Sequence, residues 1–436
     1  MTRTRLLFAI VTLLGVARGL PAGAQVRGTI LGPGARAYPI AVSPLKNDGT
    51  GGADIGTRFA DVVNRDLTLS GYFKVLDRAA FIEAPESSGN TTESIAFEKW
   101  SVLGAMALVK GAYAVEGDTL TLEARLFDVY QRRQIVGKRY RGSAEEMRRM
   151  AHRFADEILA QFTGARGPFD SRLAFVSTRD GRFKELYVMS LDGQDMRQIT
   201  RNRTITLSPA WAPDLSALLF TSYKRGNPDL YMIDLVTARE MLLSDRRGLN
   251  LGAKWSPDGS KIAMTVEDNG NADIVVLDRS GKLLRRLTDN WSIDVSPSWS
   301  PDGRQIAFCS NRSGSPQIYV MSADGGEGRR VSFSGTYNTS PAWSPTGDKI
   351  AYVSRMDGGF NLFVLDVANG QARQLTQAAG NNEDPTWGPD GRYMVFSSTR
   401  SGRKKLYLTD ATGATQVQLT QGGGDDSSPA WSRWLD

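Results

Sequence analysis

Between residues 172 and 431 the chain alternates short apolar runs with turn clusters rich in Gly, Pro, Asp and Ser. The runs are four to six residues long and carry Ile, Val, Tyr and Phe, the residues that suit a pleated surface. The pattern repeats. Trp211, Trp255, Trp299, Trp343, Trp387 and Trp431 are each 44 residues apart. Leu186, Leu230, Ile274, Ile318, Leu362 and Leu406 open an apolar run at the same interval, and Thr200, Ser244, Thr288, Ser332, Thr376 and Thr420 close each unit. A fixed period of this length predicts a radial β-repeat, a propeller foremost.

One unit, Pro297 to Ser332, shows what is built. The segment around Trp299 is a short strand. Ser300-Pro301-Asp302-Gly303 is a turn in which Pro presets φ, Asp caps the backbone and Gly takes a positive φ. Gln305–Ser310, Ile318–Met321 and Arg329–Ser332 are three further strands, so one unit is one blade. The first unit, Arg172 to Thr200, lacks a tryptophan strand, and the last, Pro429-Ala430-Trp431, has nothing after it but five residues. The two fragments complement each other. Six blades are expected, the last assembled from both ends, which removes the exposed edge strand.

Ahead of the repeats a helical period runs over Asp54 to Leu69, with Ile55, Phe59, Val62, Val63 and Leu67 on one face. Strands are expected at Tyr38–Leu45, Phe73–Leu76, Ala107–Val115, Leu120–Val129 and Gln134–Tyr140, and a brief helix at Ser94–Trp100. Ser143-Ala-Glu-Glu146 is a capping box that opens a second long helix, ended by Gly164. The fold class is thus an α/β N-terminal domain (38–166) followed by an all-β six-bladed β-propeller (167–436). Residues 1–24 read as a cleaved secretory signal: Arg3 and Arg5, an apolar run Leu6–Val16 too short to span a bilayer, and Ala22-Gly23-Ala24. Residues 25–37 form a glycine-rich arm.

Composition narrows the function. Net charge is +6 and falls to +3 without the arginines of the signal, too even for nucleic acid or a polybasic membrane contact. The chain has one cysteine, Cys309, and one histidine, His152, so neither a disulfide nor a histidine-bearing metal site is expected, and no cofactor. Cys309 reads as a buried small hydrophobe, and His152 as an ordinary helix residue facing no carboxylate cluster. No G-x-S-x-G elbow or phosphate-binding Gly-Lys-Ser/Thr motif occurs. The Asp of the P-D-G turns reads as turn capping, and Arg179, Arg225, Arg312 and Arg400 as ties between blade loops.

Two columns before each tryptophan carry the candidate site. Five residues before stand Thr206, Asn250, Asp294, Asn338, Asn382 and Asp426. Three before stand Ser208, Gly252, Ser296, Ser340, Asp384 and Ser428. By the period of two both columns share a side and ring the mouth of the central channel. That polarity reads equally as solvated loop or as a shallow socket for a peptide or protein, in which Asp294, Glu383, Asp384 and Asp426 are candidates to hold a cation.

The P-x-W-S-P-D-G-x-x-I-A-F-x-S repeats, the block DIG…FADVVNRDLTLSGYFKVLDRAAF (54–81) and the ending PAWSRWL together resemble the TolB family of periplasmic Tol–Pal components across the whole mature chain. The resemblance implies a non-enzymatic periplasmic protein that binds the lipoprotein Pal over the channel mouth. It also implies TolA binding through the arm, from Gln25, Val26, Arg27, Gly28, Thr29 and Ile30. The implied role is outer-membrane integrity and constriction at division, contact with membranes is only through protein partners, and some members are captured by colicins. Family contact positions map onto Leu207, Ser208, Leu249, Gly252, Val295, Ser296 and Glu383, with Leu249 where the family has a histidine. A propeller-type exported hydrolase and a glycan- or ion-binding propeller are the rival classes.

Overall fold

The computed structural model describes residues 37–49, 51–52, 54–87, 89–268, 270–356, 358–377 and 380–435. The expected signal (1–24) and the expected arm contacts Gln25 to Ile30 lie outside the described residues.

The N-terminal part is one mixed sheet with helices on both faces. Strands β1 (Tyr38–Val42), β2 (Lys46–Asn47), β3 (Phe73–Val75), β4 (Ala107–Glu116), β5 (Thr119–Asp128) and β6 (Arg133–Gly142) run in the order β3-β1-β4-β5-β6, with β2 beside β4. β1 is parallel to both neighbours, and β4 to β6 form the expected antiparallel meander. The two-residue alternation decides what each face buries. Ile40, Val42 and Val109 point to the long helices α1 (Ile55–Ser70) and α3 (Met147–Thr163), while Ala41, Leu108 and Phe127 meet Phe97 and Trp100 of the short helix α2 (Phe97–Val102). A 3₁₀ turn at Ala144–Glu146 precedes α3, where the Glu146 carboxylate accepts the Ser143 N–H at 2.8 Å. Gly71 and Gly164 end α1 and α3 in the left-handed conformation.

The propeller has six four-stranded blades. The first five begin with inner strands Thr206–Trp211, Asn250–Trp255, Asp294–Trp299, Asn338–Trp343 and Asn382–Trp387. The sixth joins the C-terminal strand Asp426–Trp431 to Arg172–Ser177, Glu185–Ser190 and Arg197–Gln198, which closes the ring as expected. The indoles stitch neighbours together: Trp211, Trp299 and Trp387 donate to the carbonyls of Ala430, Lys254 and Ala342 on the preceding blades, at 2.9–3.1 Å. Burying one tryptophan, about 200 Å² of it, stabilises by roughly 5 kcal/mol.

The two parts share a core. Residues of α1 and α3 pack in one cluster with Leu173, Phe175, Tyr393, Val395 and Trp431 of blades five and six. Polar contacts surround it. Tyr393 donates to Ser70 O at 2.8 Å, Arg392 to Thr163 Oγ1 at 2.7 Å, and Arg148 to Asp192 at 2.5 Å and Asp195 at 2.8 Å. Arg149 and Arg153 both reach Asp170 and the carbonyl of Leu435. His152 corrects the expectation from sequence: its Nδ1 lies 2.7 Å from Asp66 Oδ2, with both side chains buried. Burial pulls the imidazolium down, but the Asp66 carboxylate outweighs it and leaves the His152 pKa above its usual value.

Candidate functional site: the channel mouth

The inner strands share one irregularity. In each blade the register with the second strand shifts between the residues four before and one before the tryptophan, as between Val295 and Ser298. This is a β-bulge, two residues opposite one. The residue three before the tryptophan takes a positive φ in all six blades: 53° at Ser208, 63° at Gly252, 58° at Ser296, 52° at Ser340, 55° at Asp384 and 49° at Ser428. Gly, Ser and Asp are short enough to tolerate it. In five blades a proline follows, and it suits a bulge because it has no N–H to give to the ladder.

The bulge separates the two polar columns. The residues three before the tryptophan do line the central channel, a cavity of about 840 Å³ that continues past the tryptophans to Pro213, Pro257 and Pro301. The residues five before it do not. Thr206, Asn250, Asp294, Asn338, Asn382 and Asp426 are all fully buried, at 0 % exposure. The expectation that both columns share a side fails because the left-handed residue resets the alternation between them.

The buried column ties loops together instead. Asp294 accepts from Arg312 at 3.0 Å and from Asn290 at 2.9 Å. Asn382 accepts from Ser398 at 2.8 Å and Arg400 at 2.7 Å, and Asn250 accepts from Ser244 at 2.7 Å. Asn338 donates to Gln317 at 2.8 Å. Asp426 accepts from Ser177 at 2.6 Å, Arg179 at 3.0 Å and Lys405 at 3.1 Å. Arg179, Arg312 and Arg400 also stack over aromatic pairs of their own blades, Phe308 and Tyr319 for Arg312. These arginines are ties, as expected, and Arg225 pairs with Asp245 at 3.2 Å. The four carboxylates considered for a cation stay apart: Glu383 pairs with Lys404 at 2.6 Å, and Asp384 accepts from Ser397 and Ser428 N. Among the described residues no group of three or more His, Cys, Asp or Glu is placed to hold a metal. Cys309 is buried, and burial pushes its thiol up to about 11.

The two ends of the channel differ. At the proline end the N-terminal helices pack beside blades five and six, while Pro301 and Pro345 of blades three and four are exposed. There Arg433 donates to Pro257 O at 2.9 Å, and Trp434 donates to Gly167 O under the Arg166 guanidinium. The other end is open. Ser208, Gly252 and Ser296 line the cavity, whereas Leu207, Leu249, Val295 and Glu383 are half-buried and stand outside its lining. Around them stand exposed apolar side chains that the repeat pattern does not mark: Ile205, Ile293, Tyr337 and, at 78 % exposure, Trp291. Trp291 had a legible signal, since it is the one propeller tryptophan before Trp431 that stands off the 44-residue register.

The architecture is that of a six-bladed propeller joined to an α/β domain that packs on blades five and six. The TolB beta propeller domain family matches residues 159–435, and the TolB amino-terminal domain family matches residues 27–135. The chain belongs to the TolB family. It is 43 % identical over 185 residues to the Tol-Pal system protein TolB of Desulfosudis oleivorans, covering 42 % of each chain. It is 42 % identical over 206 residues to that of Syntrophotalea carbinolica, covering 47 % of this chain and 48 % of the relative. The matches thus span about half the length of these curated relatives or less. The crystal structure of TolB from Acinetobacter baumannii superposes with a TM-score of 0.81 at 27 % identity, over 93 % of this chain and 98 % of that one.

Proposed function

We propose that this chain is a non-enzymatic, exported component of the Tol–Pal system whose open channel mouth binds the outer-membrane lipoprotein Pal. Its N-terminal arm, residues 25–37, engages TolA of the inner-membrane complex. The protein links the two membranes through protein partners, and so supports outer-membrane integrity and envelope constriction at division; colicins that exploit the system compete for the same mouth. One observation carries the reading. The mouth away from the prolines combines a ring of small side chains that line the cavity with exposed Trp291, Ile293 and Tyr337 beside it. Large exposed aromatics next to a recess are the usual anchors of a protein interface. Periplasmic placement accords with the apolar leader at Leu6–Val16 and with the lack, among the described residues, of any helix long and apolar enough to cross a membrane.

The test is affinity capture from detergent-solubilised envelopes with the full-length protein and with a Trp291→Ala variant. Recovery of Pal by the first and its loss with the second supports the reading. Equal recovery by both, or recovery of neither Pal nor TolA, overturns it.

A further inference from the structure

The channel carries a charge below the rim residues already described. The residue just before each blade tryptophan lines the cavity, and it is Ala210, Ser298, Ala342, Thr386 and Ala430 in five blades. In the second blade it is Lys254. Its ammonium makes no hydrogen bond or ion pair with any other described residue. Two other charges line the cavity. Asp384, on the opposite blade, already accepts from Ser397 Oγ at 3.0 Å and Ser428 N at 3.2 Å. Arg433 donates to a carbonyl and has no carboxylate partner among the described residues. The lining therefore holds two cations against one carboxylate, among tryptophan and proline walls that strengthen any charge–charge contact.

Burial draws the Lys254 ammonium below the usual lysine range, and Asp384 across the channel only partly opposes this. An unpaired cation in such a place is costly, and an anion beside it removes the cost. The cavity is large enough for an ion with several waters. On the next blade the Ser298 hydroxyl accepts from Trp343 N at 3.0 Å, which leaves its own proton to donate.

We propose that the central channel binds one small oxoanion, a carboxylate or phosphate group, on the Lys254 ammonium. The group arrives as a free ion or as an acidic side chain on a segment that enters the mouth. The site does not require the partner assignment above.

The experiment titrates inorganic phosphate, and separately acetate, into the full mature protein, read by ³¹P line broadening and by tryptophan fluorescence. Lys254→Met should bind phosphate at least ~10-fold more weakly, and Asp384→Asn, which removes the competing carboxylate, several-fold more tightly. Lys254→Gln replaces the Met variant if that one melts abnormally. Saturable phosphate binding that is lost with Lys254 assigns a free-ion site. No phosphate or acetate binding, but a Lys254-dependent affinity for the lipid-free Pal domain, assigns the carboxylate to the partner. Phosphate binding unchanged in both lysine variants, or no Lys254-dependent binding of any of these probes, overturns the proposal.

Discussion

Asp426 is the residue through which the last strand grips the first. Its carboxylate is fully buried and accepts from Ser177 and Arg179, some 250 residues earlier in the chain, and from Lys405 of the fifth blade. Lys405 is itself 3 % exposed. Asp426→Ala removes the acceptor and leaves a buried ammonium and a partly buried guanidinium without their carboxylate. Lys405 keeps only the Gly424 carbonyl at 2.8 Å and a longer contact to Gly423 O. Truncating one member of a buried ion pair costs about 3–5 kcal/mol. With an unfolding entropy of about 2.1 cal/mol/K per residue over a propeller of roughly 270 residues, that is a fall in Tm of about 5–9 °C. Differential scanning calorimetry measures it, with Glu327→Ala, an exposed side chain on the third blade, as the control that should shift by less than about 1 °C. A Tm for Asp426→Ala within a degree or two of wild type would refute the view that this residue secures ring closure.

Other outcomes follow from the same contacts. Truncating the chain after Ser428 takes Trp431 out of the shared core and opens the edge at Arg172–Ser177, so the truncated protein should melt at least ~10 °C lower by circular dichroism; Trp431→Ala alone should cost about 3–5 kcal/mol. Trp291→Ala should weaken binding of lipid-free Pal at least ~10-fold by calorimetric titration with melting unchanged. Trp291 is the better probe, because bulk placed at Ser296 or Gly252 would strain a positive φ. Lys110 is buried beside Glu83, and burial lowers its pKa to about 8. A lowered lysine pKa means that the folded state disfavours the charge until pH passes 8, so wild-type stability should rise relative to Lys110→Met between pH 8 and 10.5. In urea titrations the gap between wild type and Lys110→Met should shift by about 3 kcal/mol in favour of wild type from pH 7 to pH 10.5; an equal gap at the two pH values would contradict this.

Much of the molecule was legible because repetition averages out local ambiguity. Six tryptophans in one register fixed the blade, and the complementary fragments at Arg172 and Trp431 fixed closure. In the first part, the period of α1 and the Ser143 box marked both long helices. Part of the site escaped for a definite reason. Counting residues by twos from Trp299 back to Asp294 assumes a regular strand, and the left-handed Ser296 breaks that count. Asp294 is therefore buried under Arg312, and of the two only Ser296 meets the channel. Nor could His152 be matched with Asp66, since their contact is made by packing α3 on α1 across 86 residues of sequence. Lys254 could have been noticed as the one cation in a column of Ala, Ser and Thr, and Trp291 as a tryptophan out of step.

Partner binding at the open mouth is the central claim, and photo-crosslinking in living cells tests it most directly. A benzophenone amino acid placed at Ile293, on the open rim, should yield a covalent product that contains Pal. The same probe at Val236, which is 88 % exposed on a turn away from that mouth, should yield none. A Pal adduct from Val236 with none from Ile293 would contradict the account.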